Sequence, residues 1–213
     1  HLKHFHVFVY IRIWSCKQFI SCKNRIGTCK ETHGLSFTTH ISSPLDFKNN
    51  GDTIVLLGTQ RNDIGSSEYL NKLKGVAFSQ APHFDLEEEF ALQQLVASLI
   101  KDKAILSAHD ISEGGLMITL LESAFFNNKG FKVNSNNSDL RKDAYWLGEA
   151  QSRVVVSCNA NQVAQLEASA KAAGVAFAVL GNVTNGEVVV NDENWGTIAT
   201  WKKEYDTAIE KKL

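Results

Sequence analysis

The stretch that decides the fold runs from Arg153 to Val190, RVVVSCNANQVAQLEASAKAAGVAFAVLGNVTNGEVVV. It opens on a short apolar, β-branched run, Arg153–Cys158, of the kind that fills a buried strand. Residues 162–173 are rich in alanine and read as a helix. Gly174 sits where a helix ends, because glycine tolerates positive φ. Residues 175–183 form a second apolar run. Asn185-Gly186 is the residue pair of a type I′ turn, so residues 187–190 are expected to return beside that run as a hairpin. Strand, helix, strand, strand is half of a ferredoxin-like arrangement. A last helix is expected from about Thr197.

The same reading extends toward the N-terminus. Residues 53–58 (TIVLLG) are a buried-strand run followed by a polar, turn-rich segment, and Ser66 or Ser67 can cap a short helix through Lys74. Asp85 with Glu88 matches a capping box, and the acids at 87–89 suit the positive end of a helix. Phe90, Leu92, Leu95, Val96, Leu99 and Ile100 then make an apolar stripe. Residues 104–107 are expected to be a strand, 108–116 a polar glycine-containing loop, and the residues after Leu116 a helix. A short strand at 131–133 and a helix over 140–147 complete the pattern. Strands and helices in this mixture predict an α+β fold.

Composition agrees with an ordinary globular chain: 213 residues, 44% hydrophobic and 21% charged, with a formal net charge of -1. That balance gives no electrostatic basis for nucleic-acid binding. No run reaches the roughly 20 apolar residues of a membrane span, and a cytoplasmic location is expected. Residues 1–43 differ from the rest. Six Lys or Arg and one Glu give them a net of +5, leaving -6 for the remainder, and they hold five of the seven His and three of the four Cys. Such a shift marks a boundary, so 1–43 is read as foreign, artefactual or disordered and 44–213 as the domain. The first residue is not Met, which fits a foreign or incomplete start. Cys16, Cys22 and Cys29 with His33 have the donor types of a zinc site but spacings too wide for one. Cys158, inside an apolar run, is read as a buried thiol.

The chemistry concentrates in three loops. In Asp110-Ile-Ser-Glu-Gly-Gly-Leu116 a strand gives way to a glycine-rich turn and a helix. Free amides and the helix dipole there favour an anion, with Ser112, Gly114 and Gly115 close to it, and Asp110 and Glu113 are oxygen ligands suited to Mg²⁺. No Gly-Lys-Ser/Thr follows, so this is not a Walker A loop. A plain turn capped by Ser112 or Asp110 accounts for the same residues. The segment Gly58–Tyr69 sets Asp63 and Glu68 around Gly65-Ser66-Ser67, which is either an ion site or ordinary capping. In Glu149-Ala-Gln-Ser-Arg153, Gln151 and Ser152 supply neutral donors and acceptors that suit a ribose or amide. His109 beside Asp110 is read as a structural hydrogen-bonding histidine, since adjacent strand residues point to opposite faces.

From about residue 44 the chain resembles the synthetase component of the phosphoribosylformylglycinamidine synthase family. Five stretches carry the resemblance in order: LDFKNNGDTIVLLG (45–58), GSSEYL (65–70), AHDISEGGL (108–116), GEAQSRVVVS (148–157) and LGNVTNGEVVV (180–190). LGNV is shared more widely, with cyclo-ligase and selenophosphate synthetase families, whose C-terminal domains are the rival reading. A scaffolding domain without a ligand is a third. The resemblance implies a layered α/β sandwich with a mixed, partly ferredoxin-like sheet, placed as the C-terminal domain of the second half of the enzyme. It implies an ATP-dependent carbon–nitrogen ligase acting on formylglycinamide ribonucleotide, with partners in the remaining synthetase domains and a glutamine amidotransferase. It also implies that Asp110 and its glycines hold an auxiliary ADP with Mg²⁺, and that the fragment alone is inactive, with no catalytic residue of its own. Two positions depart from the family pattern, Ser66 where Gly is usual and Ala150 where Ser is usual.

Overall fold

The computed structural model describes residues 43–135, 139–208 and 210. The expectations for Cys16, Cys22, Cys29 and His33, and for 1–43 apart from Ser43, fall outside those residues. The strands are β1 (Thr53–Leu57), β2 (Ser107–Asp110), β3 (Gly130–Val133), β4 (Val154–Cys158), β5 (Phe177–Thr184), β6 (Glu187–Val190) and β7 (Glu193–Thr197). The α-helices are α1 (Leu86–Lys101), α2 (Gly115–Phe125), α3 (Lys142–Leu147), α4 (Val163–Ala172) and α5 (Ile198–Asp206). The strands form one mixed sheet in the order β2-β4-β1-β5-β3-β6-β7.

The order explains why the ferredoxin-like reading is only part of the answer. β4 pairs antiparallel with both β1 and β2, and β1 pairs antiparallel with β5. Thus β1–α1–β2 and β4–α4–β5 are two split strand–helix–strand units, each receiving a strand of the other between its own two, which is the ferredoxin-like interlock. The segment with α2, β3 and α3 is inserted between the two units, and β3, β6 and β7 extend the sheet beyond β5.

Both faces of the sheet are covered, so β1 is buried at every position. Its alternate residues serve two cores. Ile54 and Leu56 join one that includes α2, Tyr145, Trp146, Ile198 and Trp201. Val55 and Leu57 join another with Leu92, Leu95 and Leu99 of α1 and Leu166 and Ala170 of α4. Every residue of α2 except Glu122 is buried, which makes it the central helix of its layer. Full burial of each Leu or Ile contributes about 1.5–3 kcal/mol, so these two layers and the sheet between them form the chain's core.

Local chemistry sets the ends of the elements. Asp85 caps α1 through its carboxylate, which accepts from the Glu87 and Glu88 amides at 2.9 Å each. Those two hydrogen bonds hold the Asp85 carboxyl below its usual range, the one from Glu88 most, against some desolvation. Glu88 does not close the capping box. It pairs with Arg61 at 2.6 Å. Phe90, expected in the buried stripe, faces solvent at 62% exposure, and Leu92, Leu95 and Leu99 carry the packing. The last helix begins where the sequence places it, and Thr197 caps it by accepting from the Thr200 amide.

Two sequence expectations are corrected. The strand placed at 104–107 is instead Ser107–Asp110. Its register is pinned by a buried Ser107–Ser157 hydroxyl pair at 2.6 Å, and the apolar residues Ala104 and Ile105 lie buried before it. The hairpin at Asn185-Gly186 does not form. β3 lies between β5 and β6, antiparallel to the first and parallel to the second. Only Gly186 has positive φ there, whereas a type I′ turn needs it at both central residues. A side chain at Gly130, where β3 begins, would meet the Glu187 carbonyl at 2.0 Å, so the 184–187 connection crosses directly over it. The hairpin is made by β6 with β7, a strand the sequence pattern does not reveal.

Candidate functional site

The register places three loops at one end of the sheet. Leu57 lies opposite both Val154 and Phe177, and Asp110 lies opposite Val154. The loops after β1 and β2 therefore meet the loop before β4, and these are the three segments singled out from sequence. They touch closely. A Cβ on Gly58 would lie 2.1 Å from the Ser152 carbonyl, and one on Gly148 would lie 2.4 Å from the Asp63 carbonyl. Gly115 has φ +69, and a Cβ there would fall within 2.8 Å of the Leu147–Gly148 backbone, so no other residue fits between the start of α2 and the end of α3.

Arg153 organises the loop before β4. It is only 2% exposed. Its Nε donates to the Ala150 carbonyl at 2.9 Å, Nη2 to the Gly148 carbonyl at 2.8 Å, and Nη1 to Gln60 Oε1. Gln60 in turn donates to the Tyr145 carbonyl at 2.8 Å. Burial pulls the guanidinium down to about 10, while the nearby Asp63 and Glu149 carboxylates oppose the fall. It therefore remains charged at neutral pH and holds the backbone on either side of Glu149.

Glu149 joins the other two loops. Its Oε1 accepts from the Gly114 amide at 2.8 Å and from the Glu68 amide at 2.9 Å. Burial pushes its carboxyl up to about 7. The two amide hydrogen bonds oppose that rise, and the neighbouring Glu68 and Glu113 carboxylates add to it. Glu68 is also raised by burial, against the pull of Lys72 and with a further push from Glu113. Its Oε2 is buried without a hydrogen-bond partner. The expected cup of free amides is thus partly filled from within the protein. Gly114 serves Glu149, and the Gly115 amide donates to the Ser112 carbonyl at 3.0 Å.

The remaining sequence candidates divide into committed and outward-facing groups. Asp63 is committed: its carboxylate accepts from the Gly65 amide at 2.8 Å and the His83 amide at 2.7 Å. Ser66 has φ +50 and ties to the 79–80 segment through Ser79 and Gln80. That left-handed backbone is one glycine adopts freely. Ser67, buried, caps the following π-helical turn (Tyr69–Leu73) by accepting from the Leu70 amide. Ser152, at φ +60, donates to Glu89 of α1 at 2.7 Å. Ala150 is buried. Asp110 and Gln151 are exposed, and Ser112 and Glu113 are half-buried. Among the described residues no group of three or more His, Cys, Asp or Glu could hold a metal ion by itself.

His109 turns away from this end. Its Nδ1 lies 3.1 Å from Ser123 Oγ and its Nε2 3.5 Å from Glu122 Oε2, both on α2, which agrees with a structural role. Cys158 is fully buried, and burial first, with Asp52 second, pushes its thiol up to about 11. Sequence reasoning singles out the loop Glu149–Arg153 but names neither of these two residues among its site residues. The available signal is Arg153 itself, a charge opening an otherwise apolar strand.

A protein-family model described as AIR synthase related protein, C-terminal domain, matches residues 49–192. The chain belongs to this family. Among its curated relatives is a phosphoribosylformylglycinamidine synthase subunit PurL of Caldanaerobacter subterraneus subsp. tengcongensis, 38% identical over 147 residues, covering 69% of this chain and 20% of the relative. Another, from Zymomonas mobilis, is 34% identical over 173 residues, covering 81% of this chain and 23% of the relative. The fold matches that of T. maritima PurL complexed with FGAR, with TM-score 0.66, 16% identity, and coverage of 77% of this chain and 30% of that one. A structure of T. maritima PurL complexed with ATP matches with TM-score 0.61 and 15% identity, over 77% of this chain and 28% of that one. The layered, mixed-sheet α+β fold is thereby shared with solved proteins. The chain spans only about a fifth of the length of these curated relatives. No helix among the described residues is long and apolar enough to cross a membrane.

Proposed function

We propose that this chain is the C-terminal domain of the second half of a phosphoribosylformylglycinamidine synthase. That enzyme is an ATP-dependent carbon–nitrogen ligase converting formylglycinamide ribonucleotide to formylglycinamidine ribonucleotide in purine biosynthesis. The observation that carries the reading is the meeting of AHDISEGGL, GSSEYL and GEAQSR at one end of the sheet. The family match and the names of the relatives support it.

In this reading the sheet end receives the phosphates of an auxiliary ATP or ADP. Asp110, exposed at the end of β2, and Glu113 beside it are two hard oxygen donors. That number fits Mg²⁺, which keeps most of its shell as water and phosphate oxygen and takes one or two carboxylates from protein. The metal supplies charge neutralisation of the phosphates when bound. Ser112, Gly114 and Gly115 lie along the same turn. Asp63, Ser66 and Glu68 shape the facing loop, and Gln151 and Ser152 border it. No residue here is assigned to catalysis. The remaining synthetase domains and a glutamine amidotransferase are the partners, and the cytoplasm is the location.

The test is calorimetry of the chain with Mg·ADP, beside Asp110→Ala. Binding that weakens about tenfold in the variant is expected, the scale of one lost charge-assisted contact. Equal affinity in both would remove Asp110 from the site. The chain incubated with ATP, formylglycinamide ribonucleotide and ammonia is expected to give no turnover, and turnover would overturn its reading as one part of the enzyme.

A further inference from the structure

We infer that Glu149 is a positioning residue that acts through the backbone, its carboxylate fixing the Glu68 and Gly114 loops to each other instead of touching the ligand those loops receive. Only the binding arm of the test below rests on the nucleotide reading.

The geometry assembles this role from three directions. First, one oxygen takes both amides, from loops 81 and 35 residues earlier in the chain. A carboxylate with two N–H donors is a charge-assisted contact, and these are the strong ones. Second, the backbone carrying Glu149 is itself held. Arg153 grips the carbonyls of Gly148 and Ala150, the residues on either side. Its third partner is Gln60, so these hydrogen bonds go to neutral oxygens and not to Glu149. Third, the chain just before Glu149 threads between the two loops without a side chain. Gly148 lies against the Asp63 carbonyl, and the Leu147–Gly148 backbone lies against Gly115. The whole is a relay from the start of β4, through Arg153 and the 148–150 backbone, to two loop amides.

The burial that raises the Glu149 carboxyl is consistent with this, since the group sits there at a cost that the two amides partly offset. Oε1, the oxygen turned to the two loops, is taken up by the protein's own amides. Glutamine offers a carbonyl oxygen of the same reach, so Glu149→Gln should keep the loops together and Glu149→Ala should release them.

The experiment uses the ¹⁵N-labelled chain and both variants. Hydrogen exchange is read at the Glu68 and Gly114 amides, and Mg·ADP is titrated into each protein. In Glu149→Ala both amides are expected to lose protection by about tenfold or more, and Mg·ADP affinity to fall by about tenfold, the scale of a lost charge-assisted contact. In Glu149→Gln protection and affinity are expected to be largely restored. Unchanged protection in Glu149→Ala would overturn the inference. So would a Glu149→Gln protein that keeps both amides protected yet binds as weakly as the Ala variant, because the carboxylate would then be a ligand. If the parent takes up no Mg·ADP, the nucleotide reading fails, and the exchange arm alone decides the role of Glu149.

Discussion

Replacing Glu149 with glutamine should reshape the pH dependence of stability. The carboxyl is pushed up to about 7 in the folded chain, chiefly by burial, from an ordinary value of 4.5. Between those two values the folded chain holds a proton that the unfolded chain has released. The stability linked to that proton is fully present below the unfolded value and is lost as pH rises through about 7. From about pH 5 to about pH 8 the loss is about 2–3 kcal/mol, since one pKa unit corresponds to about 1.4 kcal/mol. The amide of Glu149→Gln does not titrate, so the variant should gain on the parent by that amount across the window. Its absolute stability also reflects weaker, neutral hydrogen bonds to Gly114 and Glu68. Glu68, raised as well, titrates in both proteins. Urea unfolding followed by tryptophan fluorescence at several pH values measures the gap. A gap that stays constant, or that moves toward the parent at high pH, would refute the assignment of a buried, high-pKa carboxyl at this position.

Two further outcomes follow from the packing. Gly115→Ala places a methyl group against the Leu147–Gly148 backbone at positive φ and should cost about 3 kcal/mol, measured by the same unfolding assay. A change under about 1 kcal/mol, within the range of ordinary surface substitutions and mild repacking, would show that the two segments do not meet as described. Cys158, buried and with its thiol pushed up to about 11, should resist iodoacetamide in the native chain and react only on unfolding, as mapped by peptide mass spectrometry. Rapid native alkylation at that residue would place it at the surface.

Much of the architecture can be read from local signals because those signals are local in physics. Asp85 caps α1 with its own carboxylate, Gly174 ends the α4 segment at φ +69, and the β1 run is buried on both faces as its composition demands. The misreadings fall where distant residues decide the outcome. Asn185-Gly186 carries a hairpin signal, yet β3, more than fifty residues upstream, fills the place the hairpin would occupy. Ala104 and Ile105 draw the expected strand three residues early, because burial in a loop and burial in a strand look alike in sequence. At the site, the three loops are marked by their glycines and acids. The role of Glu149 is not, since nothing in its neighbours announces a hydrogen bond to an amide 81 residues away. Ser66 and Ser152 each hold a positive φ that sequence alone assigns more readily to glycine or asparagine.

The place of β3 has a consequence for how the chain comes together during synthesis. Its neighbours are β5, made some fifty residues later, and β6, later still. Until residues 187–190 leave the ribosome, one side of β3 presents an open row of backbone donors and acceptors, a surface that invites pairing with other nascent chains. The parallel seam between β3 and β6 therefore covers that row, and a chain interrupted after Thr184 would leave it open.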